Sequence, residues 1–313
     1  MREHFLYEER YRPHTVKDTI LPDELKKIFQ SYVDQGNIPN MTLVGGPGVG
    51  KTTIAKAMCD ELGIDYIVIN GSLDLNKDAL RNDVQQFASS VSFTGGRKMV
   101  IVDEADGLSN AVQGALRAFT QEFAANCGFI MTANFGNRII EALRSRCPVV
   151  NLRIKSADKP KMAVQFMKKA GEILDAEGIT YTKEALAAVI QKFFPDFRRV
   201  LGELQKYGSA AGTIDSGILA DFKDENVAAI KTMLKERNFT GMRKWVGENS
   251  DIDVTTFFRA LYDKLVPDMD SSSAPQLVMI LADYQYKANF VADQEINTAA
   301  CLTEIMANCT FKD

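Results

Sequence analysis

The octet GGPGVGKT, residues 45–52, is the feature that most constrains the fold of this chain. It has the spacing G-x-x-x-x-G-K-[ST], follows the strand-like run MTLV and precedes a helical stretch near 51–62. In that setting the glycines let backbone N–H groups turn inward around phosphates, and the helix N-terminus adds positive potential. An accidental glycine-rich turn would not require both neighbours. The octet therefore predicts a phosphate-binding loop between a strand and a helix.

Strand-like and helical stretches alternate through the first half of the chain, which is typical of a parallel sheet with crossover helices. The strand-like runs are 41–44, 66–70, 98–102, 128–132 and 148–152, with helices near 51–62, 77–90, 110–125 and 138–145. After residue 155 strand patterns fade, and helices are predicted at 158–176, 182–193 and 196–207. The segment GSAAGTIDSG, 208–217, is interpreted as a linker, and further helices follow it, interrupted at 267–275. We expect an α/β domain at 1–155, a small helical domain at 156–222 and a C-terminal helical domain at 223–313.

Length and hydropathy point to a soluble chain of several domains. The 313 residues exceed what one hydrophobic core usually serves, so two or three domains are expected. No apolar run approaches the roughly 18 residues of a membrane span. The opening sequence MREHFLYEERYRP has no apolar signal core, so we expect a cytoplasmic protein with no membrane partner.

Few side chains suit zinc or histidine chemistry. The five cysteines are scattered, with no Cys-x-x-Cys spacing and no disulfide framework. The only histidines are His4 and His14. These patterns argue against a zinc site and against a histidine-based catalytic triad.

The net charge of −4 does not by itself indicate nucleic-acid binding, but its distribution is uneven. Residues 1–155 carry 18 basic and 18 acidic side chains, and residues 156–222 carry nine of each. Residues 223–313 carry 10 basic and 14 acidic side chains, so the whole deficit lies there. A local basic surface on the first part remains compatible with these numbers.

Chemistry is assigned first to the phosphate loop, where Gly48, Val49 and Gly50 would surround the phosphates of ATP. Lys51 would reach the β- and γ-phosphates. The hydroxyl of Thr52 would bind Mg²⁺, and Thr53 would lie near the α-phosphate.

The run MVIVDEAD, 99–106, is the partner of the loop, because an apolar strand ends there in two carboxylates. Asp103 would hold the magnesium through water, and Glu104 would orient and polarise the attacking water. Acidic residues after a strand are often only turn formers, but the phosphate loop favours the catalytic interpretation. In FIMTANF, 129–135, Asn134 is a candidate to position the water or the γ-phosphate, although asparagine is also a common turn residue.

The stretch EALRSRCPVV, 141–150, places Arg146 just before a predicted strand. Cations are favoured at helix C-termini, where the last carbonyls carry partial negative charge. The residues alone leave two alternatives open for Arg146, a helix cap or a contact with a phosphate.

Six segments occur in an order that resembles the clamp-loader ATPases of the AAA+ superfamily: YEERYRP (7–13), GGPGVGKT, VDEAD, TAN, LRSRC and FPDFRR. The resemblance spans residues 7 to about 207 and is greatest to the large ATPase subunits of T-even-type bacteriophage loaders. The phosphate loop is generic to many NTPases, whereas the serine–arginine–cysteine motif and the YRP segment are more specific. Bacterial-type loader subunits usually carry a four-cysteine zinc insert, which this chain lacks.

The resemblance implies an AAA+ parallel sheet with a helical lid, then a C-terminal helical collar that holds the subunits together. It implies that Arg146 projects into the ATP site of a neighbouring subunit. It also implies that Arg198, in the first turn of a helix that Asp196 can cap, contacts nucleotide in its own subunit. The segment YEERYRP would wrap the adenine, with residues Glu8, Glu9, Arg10 and Tyr11, and Ile20 would lie against the base. The family usually has lysine at the position of Arg10.

Candidate DNA contacts follow from the same resemblance, at Arg81, Ser109 and Gln113 on the helices near 77–90 and 110–125. Each is equally compatible with a solvated surface residue. For Gln113 a second role is considered, as a link between DNA contact and the Glu104 carboxylate.

The function implied is that of a DNA-dependent ATPase, with ATP and Mg²⁺ as cofactors, that opens a sliding clamp and loads it onto primer–template DNA. Its partners would be the clamp, an accessory subunit and further copies of itself in a heteropentamer, in the host cytoplasm if a phage encodes it. One alternative is an AAA+ helicase loader or replication initiator, and the acidic region after residue 222 argues against the DNA-reading module an initiator needs. Another is a structural subunit that binds ATP without turnover, and the intact set of Lys51, Asp103, Glu104 and Arg146 argues against it.

Overall fold

The computed structural model describes residues 5–72, 77–90, 97–215, 225–249, 254–270, 272–288 and 290–312. The chain divides into two compact units, Met1–Leu219 and Ala220–Asp313. In the parts of the chain that the structure describes, no helix is long and apolar enough to cross a bilayer.

The first unit is built on a five-stranded parallel sheet. Its strands are β1 (Met41–Val44), β2 (Tyr66–Asn70), β3 (Lys98–Asp103), β4 (Cys127–Ala133) and β5 (Val149–Asn151), in the spatial order β2-β3-β4-β1-β5. The register aligns Asn70 with Asp103 and Val44 with Ala133. The carboxyl ends of β1, β3 and β4 therefore meet at one edge of the sheet, where ligands of open α/β sheets bind. This arrangement confirms the predicted parallel α/β fold.

Among the described residues of this unit, six helices accompany the sheet. They are α1 (Tyr7–Arg10), α2 (Asp23–Asp34), α3 (Lys51–Leu62), α4 (Lys77–Ser89), α5 (Asn110–Glu122) and α6 (Glu141–Arg144). Short 3₁₀ turns at Ala105–Gly107 and Gly136–Arg138 lead out of β3 and β4. The helix predicted near 138–145 is only the four residues of α6.

Side chains that alternate along the buried strands face two separate cores. Val100 and Val102 pack with Phe129 and Met131 on the side of α4 and α5. Ile101 and Ile130 belong to the opposite cluster with residues of α2 and α3. Burial on both faces explains why β3 and β4 read as continuous apolar runs in the sequence.

The helices that the structure describes between the sheet and residue 215 are α7 (Lys159–Ala176), α8 (Lys183–Phe193) and α9 (Phe197–Ala211). The interpretation of 208–217 as a linker is wrong for its described part, because α9 continues to Ala211. The strands β6 (Thr180–Tyr181) and β7 (Thr213–Ile214) then pair in parallel. Residues 216 and 217 lie outside the described residues.

The second unit contains helices α10 (Glu225–Lys235), α11 (Phe239–Glu248), α12 (Val254–Leu265), α13 (Ser273–Lys287) and α14 (Gln294–Asn308). They enclose one apolar cluster in which Trp245 stacks on Phe257 with ring centroids 5.5 Å apart. A bridge between Met269 and Phe311 joins the turn after α12 to the C-terminal segment.

Candidate nucleotide site

The phosphate loop connects β1 to α3 with the strand–loop–helix geometry that its sequence predicts. Gly48 and Gly50 have φ of 66° and 91°, in the left-handed region that favours glycine. Lys51 is the first residue of α3, and its side chain turns back into the loop. Its Nζ donates to the carbonyls of Gly45 and Gly46 at 2.9 and 2.7 Å.

Lys51 and Asn134 are brought together beside the phosphate loop. The Lys51 Nζ donates to Asn134 Oδ1 at 2.8 Å. Lys51 is only 9% exposed, and this burial lowers the pKa of its ammonium group, while the negative charges of Asp103 and Asp106 partly oppose the shift. A bound triphosphate would add negative charge beside this buried cation and favour its charged form.

The end of β3 carries a carboxylate held by two hydroxyl groups. Asp103 Oδ1 accepts from Thr52 Oγ1 at 2.6 Å and from Thr132 Oγ1 at 2.5 Å. Among the described residues no cluster of three His, Cys, Asp or Glu side chains could hold a metal by itself. The hydroxyl and carboxylate oxygens nevertheless fit Mg²⁺, which is usually held by one or two protein oxygens, waters and substrate phosphates. Thr132 was missed in the sequence, although it lies two residues before Asn134 on the adjacent strand.

Glu104 follows in an unusual backbone conformation, with φ 55° and ψ 43°. Its N–H donates to Thr132 Oγ1 at 3.0 Å, and its carboxylate accepts a hydrogen bond from the Ser72 hydroxyl just beyond β2. Ser72 carried no motif signal. The carboxylate is therefore engaged by a neighbouring strand end in this conformation.

Asp106 fixes the segment that carries Asn134. Its Oδ2 accepts from the N–H groups of Asn134 and Phe135 at 3.1 and 3.0 Å. The last acidic residue of MVIVDEAD thus supports the polar tip of β4, a role the sequence did not suggest.

A cleft of about 920 Å³, including solvent at its mouth, opens beside the phosphate loop. Nine of the predicted ATP contacts line it: Glu8, Tyr11, Ile20, Gly48, Gly50, Lys51, Thr52, Thr53 and Arg198. An apolar wall contributed by the helices after the sheet faces them, with Phe166, Ile173, Phe197 and Leu201. Such an apolar slot beside a phosphate site suits the flat base of a nucleotide.

Three predicted contacts are absent from the described lining of the cleft. Val49 is 5% exposed and packs into the apolar core. Glu9 accepts from the Arg12 guanidinium, and Arg10 pairs with Glu177 at 2.7 Å. The sequence pattern could not separate the inner from the outer face of so short a helix, and it missed Arg12, which lines the cleft and donates to Thr53 Oγ1 at 3.1 Å.

The helix α9 docks directly on the phosphate loop. Asp196 caps it by accepting from the N–H of Arg199 at 3.0 Å, as expected. The Phe197 N–H donates to the Gly48 carbonyl at 3.1 Å. Arg198, in the first turn, lies with its Nε 3.8 Å from Glu8 Oε1 across the cleft.

Arg146 is exposed and is not among the described residues that line the cleft. With the Gln121 amide oriented so that its oxygen faces Arg146, that oxygen accepts from Nη2 at 2.8 Å and from Nη1 at 3.3 Å. Gln121 belongs to α5, so this contact ties the guanidinium to a helix other than α6. The geometry favours a side chain presented outward over a cap of α6.

The three candidate DNA contacts differ in accessibility. Arg81 is exposed on α4, and Ser109 is exposed while its hydroxyl accepts from the Val112 N–H at 3.4 Å as the N-cap of α5. Gln113 is only 1% exposed. Its amide donates to the carbonyls of Leu108 and Arg138, both at 3.0 Å, and accepts from the Ile140 N–H at 2.8 Å.

The expected DNA contact of Gln113 conflicts with this burial, because no polar atom of its amide faces solvent. The amide instead ties the turn after Glu104 to the segment that leads into α6. The Glu104 carboxylate contacts Ser72. The predicted direct link between Gln113 and that carboxylate is therefore not formed in this conformation.

Fold and site together define an AAA+ ATPase. A family model described as the ATPase family associated with various cellular activities matches residues 41–153. A second, described as the AAA+ ATPase lid domain of the sliding-clamp-loader large subunit, matches residues 158–220.

Relatives that match nearly the whole chain identify the family within the AAA+ ATPases. The chain is 33% identical over 318 residues to the sliding-clamp-loader large subunit of Enterobacteria phage T4, covering 99% of this chain and 98% of that protein. It is 36% identical over 323 residues to the corresponding subunit of Escherichia phage RB69, with the same coverage. It is 29% identical to the replication factor C small subunit of Archaeoglobus fulgidus, covering 95% and 96%. The chain belongs to the family of sliding-clamp-loader large subunits.

Among solved structures, the Thermotoga maritima RuvB Holliday junction branch migration motor is similar in fold. Its TM-score is 0.53 at 18% identity, over 75% of this chain and 85% of that one. At this identity the likeness concerns the fold alone.

Proposed function

We propose that this ATPase binds MgATP to open a sliding clamp and hydrolyses it, when primer–template DNA is bound, to leave the clamp on the DNA. It would act with an accessory subunit and further copies of itself in a heteropentamer. The C-terminal unit is assigned to the collar that joins the subunits, and the helices after the sheet to the lid over the nucleotide. Membership in the clamp-loader family supports these assignments.

The observation that carries the proposal is the convergence of three motifs at the carboxyl ends of β1, β3 and β4. Lys51 meets Asn134 at 2.8 Å, and Thr52 meets Asp103 at 2.6 Å. Lys51 would shift from the loop carbonyls to the β- and γ-phosphates, while Asn134 would keep it aligned and contact the γ-phosphate or the water. Positioning and electrostatic stabilisation of this kind supply most of phosphoryl-transfer catalysis.

Magnesium would be held by the Thr52 hydroxyl, with Asp103 behind it through water. It would neutralise charge on the β- and γ-phosphate oxygens. The two hydroxyl groups that donate to Asp103 orient that carboxylate for the task.

Glu104 is assigned to orient and polarise the attacking water, as a carboxylate general base can. Its carboxylate would have to leave the Ser72 hydroxyl to do so. The proposal therefore places a rotamer change of Glu104 before hydrolysis.

Arg146 is assigned to the neighbouring subunit's ATP, because it is exposed and outside the described lining of its own cleft. A guanidinium in that place stabilises charge on the γ-phosphoryl group. Such a residue is worth about 10³–10⁵ in rate, or about 4–7 kcal/mol. Hydrolysis would then require assembly. Arg81 and Ser109 remain proposed contacts to the DNA backbone.

The first test concerns nucleotide binding and turnover. Lys51→Ala should abolish binding of a labelled ATP analogue, and Glu104→Gln should retain binding but slow hydrolysis measured with clamp and primed DNA. An ATPase rate that neither clamp nor primed DNA changes would contradict the clamp-loading proposal. Wild-type turnover by Glu104→Gln would contradict its catalytic assignment.

The second test decides whether Arg146 acts in its own or a neighbouring subunit. Subunits carrying Arg146→Ala are mixed with subunits carrying Lys51→Ala, and co-purification verifies the mixed assemblies. An interface between an intact Lys51 site and an intact neighbouring Arg146 should regain DNA-stimulated turnover. Arg144→Ala is the matched control, because Arg144 is also exposed and lies two residues away. Mixed assemblies without any recovery would contradict action in trans.

A further inference from the structure

The segment 5–12 that contributes to the cleft cannot hold its own position. Its only helix, α1, has four residues, and helices this short are unstable without tertiary contacts. What fixes the segment must therefore be found elsewhere in the chain.

One set of contacts comes from α9, through the side chain of Gln205. Its Oε1 accepts from the Tyr7 N–H at 3.0 Å, and its Nε2 donates to the Phe5 carbonyl at 2.8 Å. Gln205 is only 8% exposed. Both ends of a buried amide are thus used to bind the backbone of the segment, much as a neighbouring strand would.

A second set comes from the C-terminal end of α7, through Glu177. Its Oε1 accepts from the Tyr11 hydroxyl and from Arg10 Nη1, the latter at 2.7 Å. The Glu177 side chain is 19% exposed. The hydrogen bond from Tyr11 lowers the pKa of this carboxyl group, so it is ionised at neutral pH.

The same segment reaches the cleft on its other face. Tyr11 lines the cleft, as does Arg12, which donates to Thr53 Oγ1 beside the phosphate loop. The segment therefore bridges two helices that follow the sheet and the first turn of α3. A displacement of either lid helix would pull Tyr11 out of the wall of the cleft.

We propose that Glu177 and Gln205 are positioning residues that couple ATP affinity to lid docking by holding Tyr11 in the wall of the cleft. They act on the part of the site that would hold the nucleoside. The residues proposed to act at the phosphates, Lys51 and Glu104, keep their positions. This inference rests on the proposed ATP site and adds residues that no motif marks.

The test uses the full-length chain with Glu177→Ala, and Asp175→Asn as the matched control. Asp175 is an exposed acid two residues earlier, in the last turn of α7. Glu177→Ala should raise the Kd for a slowly hydrolysed ATP analogue about tenfold, which is about 1.4 kcal/mol. The kcat at saturating ATP, measured with clamp and primed DNA, should stay within about twofold of wild type. Glu177→Gln should restore part of the affinity, because its amide oxygen can still accept from Tyr11.

A general loss of stability in Glu177→Ala would change Kd and kcat in a different way. An unchanged Kd, a loss confined to kcat, or an equal loss in Asp175→Asn would each overturn the inference. Tyr11→Phe supplies the second arm, since it removes only the hydroxyl. If the Tyr11–Glu177 bond carries the effect, the double variant Tyr11→Phe/Glu177→Ala should bind ATP about as weakly as Glu177→Ala alone, and full additivity would contradict the coupling.

The Lys51→Ala variant distinguishes failure of the proposed nucleotide site from failure of the coupling to the lid. If it still binds ATP, the proposed nucleotide site itself fails. If it loses binding while Glu177→Ala and Gln205→Ala both bind as wild type, the site stands and only the coupling through Glu177 and Gln205 is refuted.

Discussion

Gly48→Ala should detach the lid from the phosphate loop. Gly48 has φ of 66°, and a Cβ there would lie 1.7 Å from Asp196 Oδ1 and 3.1 Å from Asp196 Cα. The Asp196 carboxylate would have to move, and the contact with the Asp196 backbone leaves little room for the methyl group to shift. An alanine would therefore disturb both its own backbone and the N-terminus of α9.

The cost can be assembled from three local terms. Alanine in the left-handed conformation costs about 1–2 kcal/mol. Loss of the cap that Asp196 gives to the Arg199 N–H costs about 1 kcal/mol, and loss of the Phe197 N–H to Gly48 hydrogen bond costs about 1 kcal/mol. The sum of about 3–4 kcal/mol would shift the docking equilibrium of α9 by about 10²–10³.

Hydrogen exchange at the Phe197 and Arg199 amides measures this docking directly, without nucleotide. Two neighbouring glycines serve as controls. Gly50→Ala has only the backbone term, because φ is 91° and no atom lies within 4 Å of its Cβ. Gly46→Ala has neither the backbone strain nor a clash with Asp196, because the nearest atom to its Cβ, on Val49, is 3.9 Å away.

The expected order of protection loss is therefore Gly48→Ala, then Gly50→Ala, then Gly46→Ala. The double variant Gly48→Ala/Asp196→Ala relieves the clash and should be less disturbed than the sum of its single changes. Equal exchange in Gly48→Ala and Gly50→Ala would refute the argument that Asp196 occupies the space above the loop.

Three further changes test individual contacts. Ser72→Ala should raise hydrolysis without DNA by up to about fivefold, because it frees the Glu104 carboxylate of one hydrogen bond worth about 1 kcal/mol; a lower rate in the ATPase assay would show that Ser72 aids catalysis. Gln121→Ala should lower DNA-stimulated kcat about tenfold with unchanged ATP affinity, because it removes a charge-assisted partner of Arg146; full activity, in a complex that Arg146→Ala inactivates, would contradict this. ATP affinity should fall at alkaline pH, because burial lowers the pKa of Lys51 below 10.5 and bound phosphates favour its charged form. Affinity is complete below the pKa of Lys51 in the free protein and is lost as pH rises from that value toward the higher pKa of the complex, so calorimetric titrations that stay flat as the pH approaches 10.5 would be inconsistent with this shift.

The phosphate half of the site was predictable because its signals are local. Each of its groups lies at the end of a strand whose apolar run is plain in the sequence. Parallel strands bring their carboxyl ends to one edge, so the sequence places Lys51, Asp103 and Asn134 at that edge, and the observed order β3-β4-β1 makes them neighbours. Even there, Thr132 and Ser72 escaped notice, since hydroxyl side chains near strand ends carry no distinctive spacing.

The nucleoside half was less predictable because its contacts are remote in sequence. Arg10 and Glu177 are separated by 167 residues, and Tyr7 and Gln205 by 198. No periodicity encodes such pairs, and the resemblance could place YEERYRP near adenine without distinguishing Arg10 from Arg12. The burial of Gln113 was missed for the same reason, because its partners are backbone groups of two other segments.

The backbone conformation of Glu104 depends on contacts with other strands that the sequence does not reveal. A glutamate with φ of 55° costs about 1–3 kcal/mol and persists only where its surroundings hold it. Here the Thr132 hydroxyl accepts a hydrogen bond from the Glu104 N–H, and the Gly71 N–H donates to the carbonyl of the preceding residue, Asp103, at 2.7 Å. The strain turns the chain sharply after β3, so that Asp103 faces Thr52 and Glu104 faces Ser72. The two adjacent acids thereby have separate partners, which suits the separate metal and water roles proposed for them. The sequence shows both acids, but only the folded contacts of β2 and β4 explain why they do not share one role.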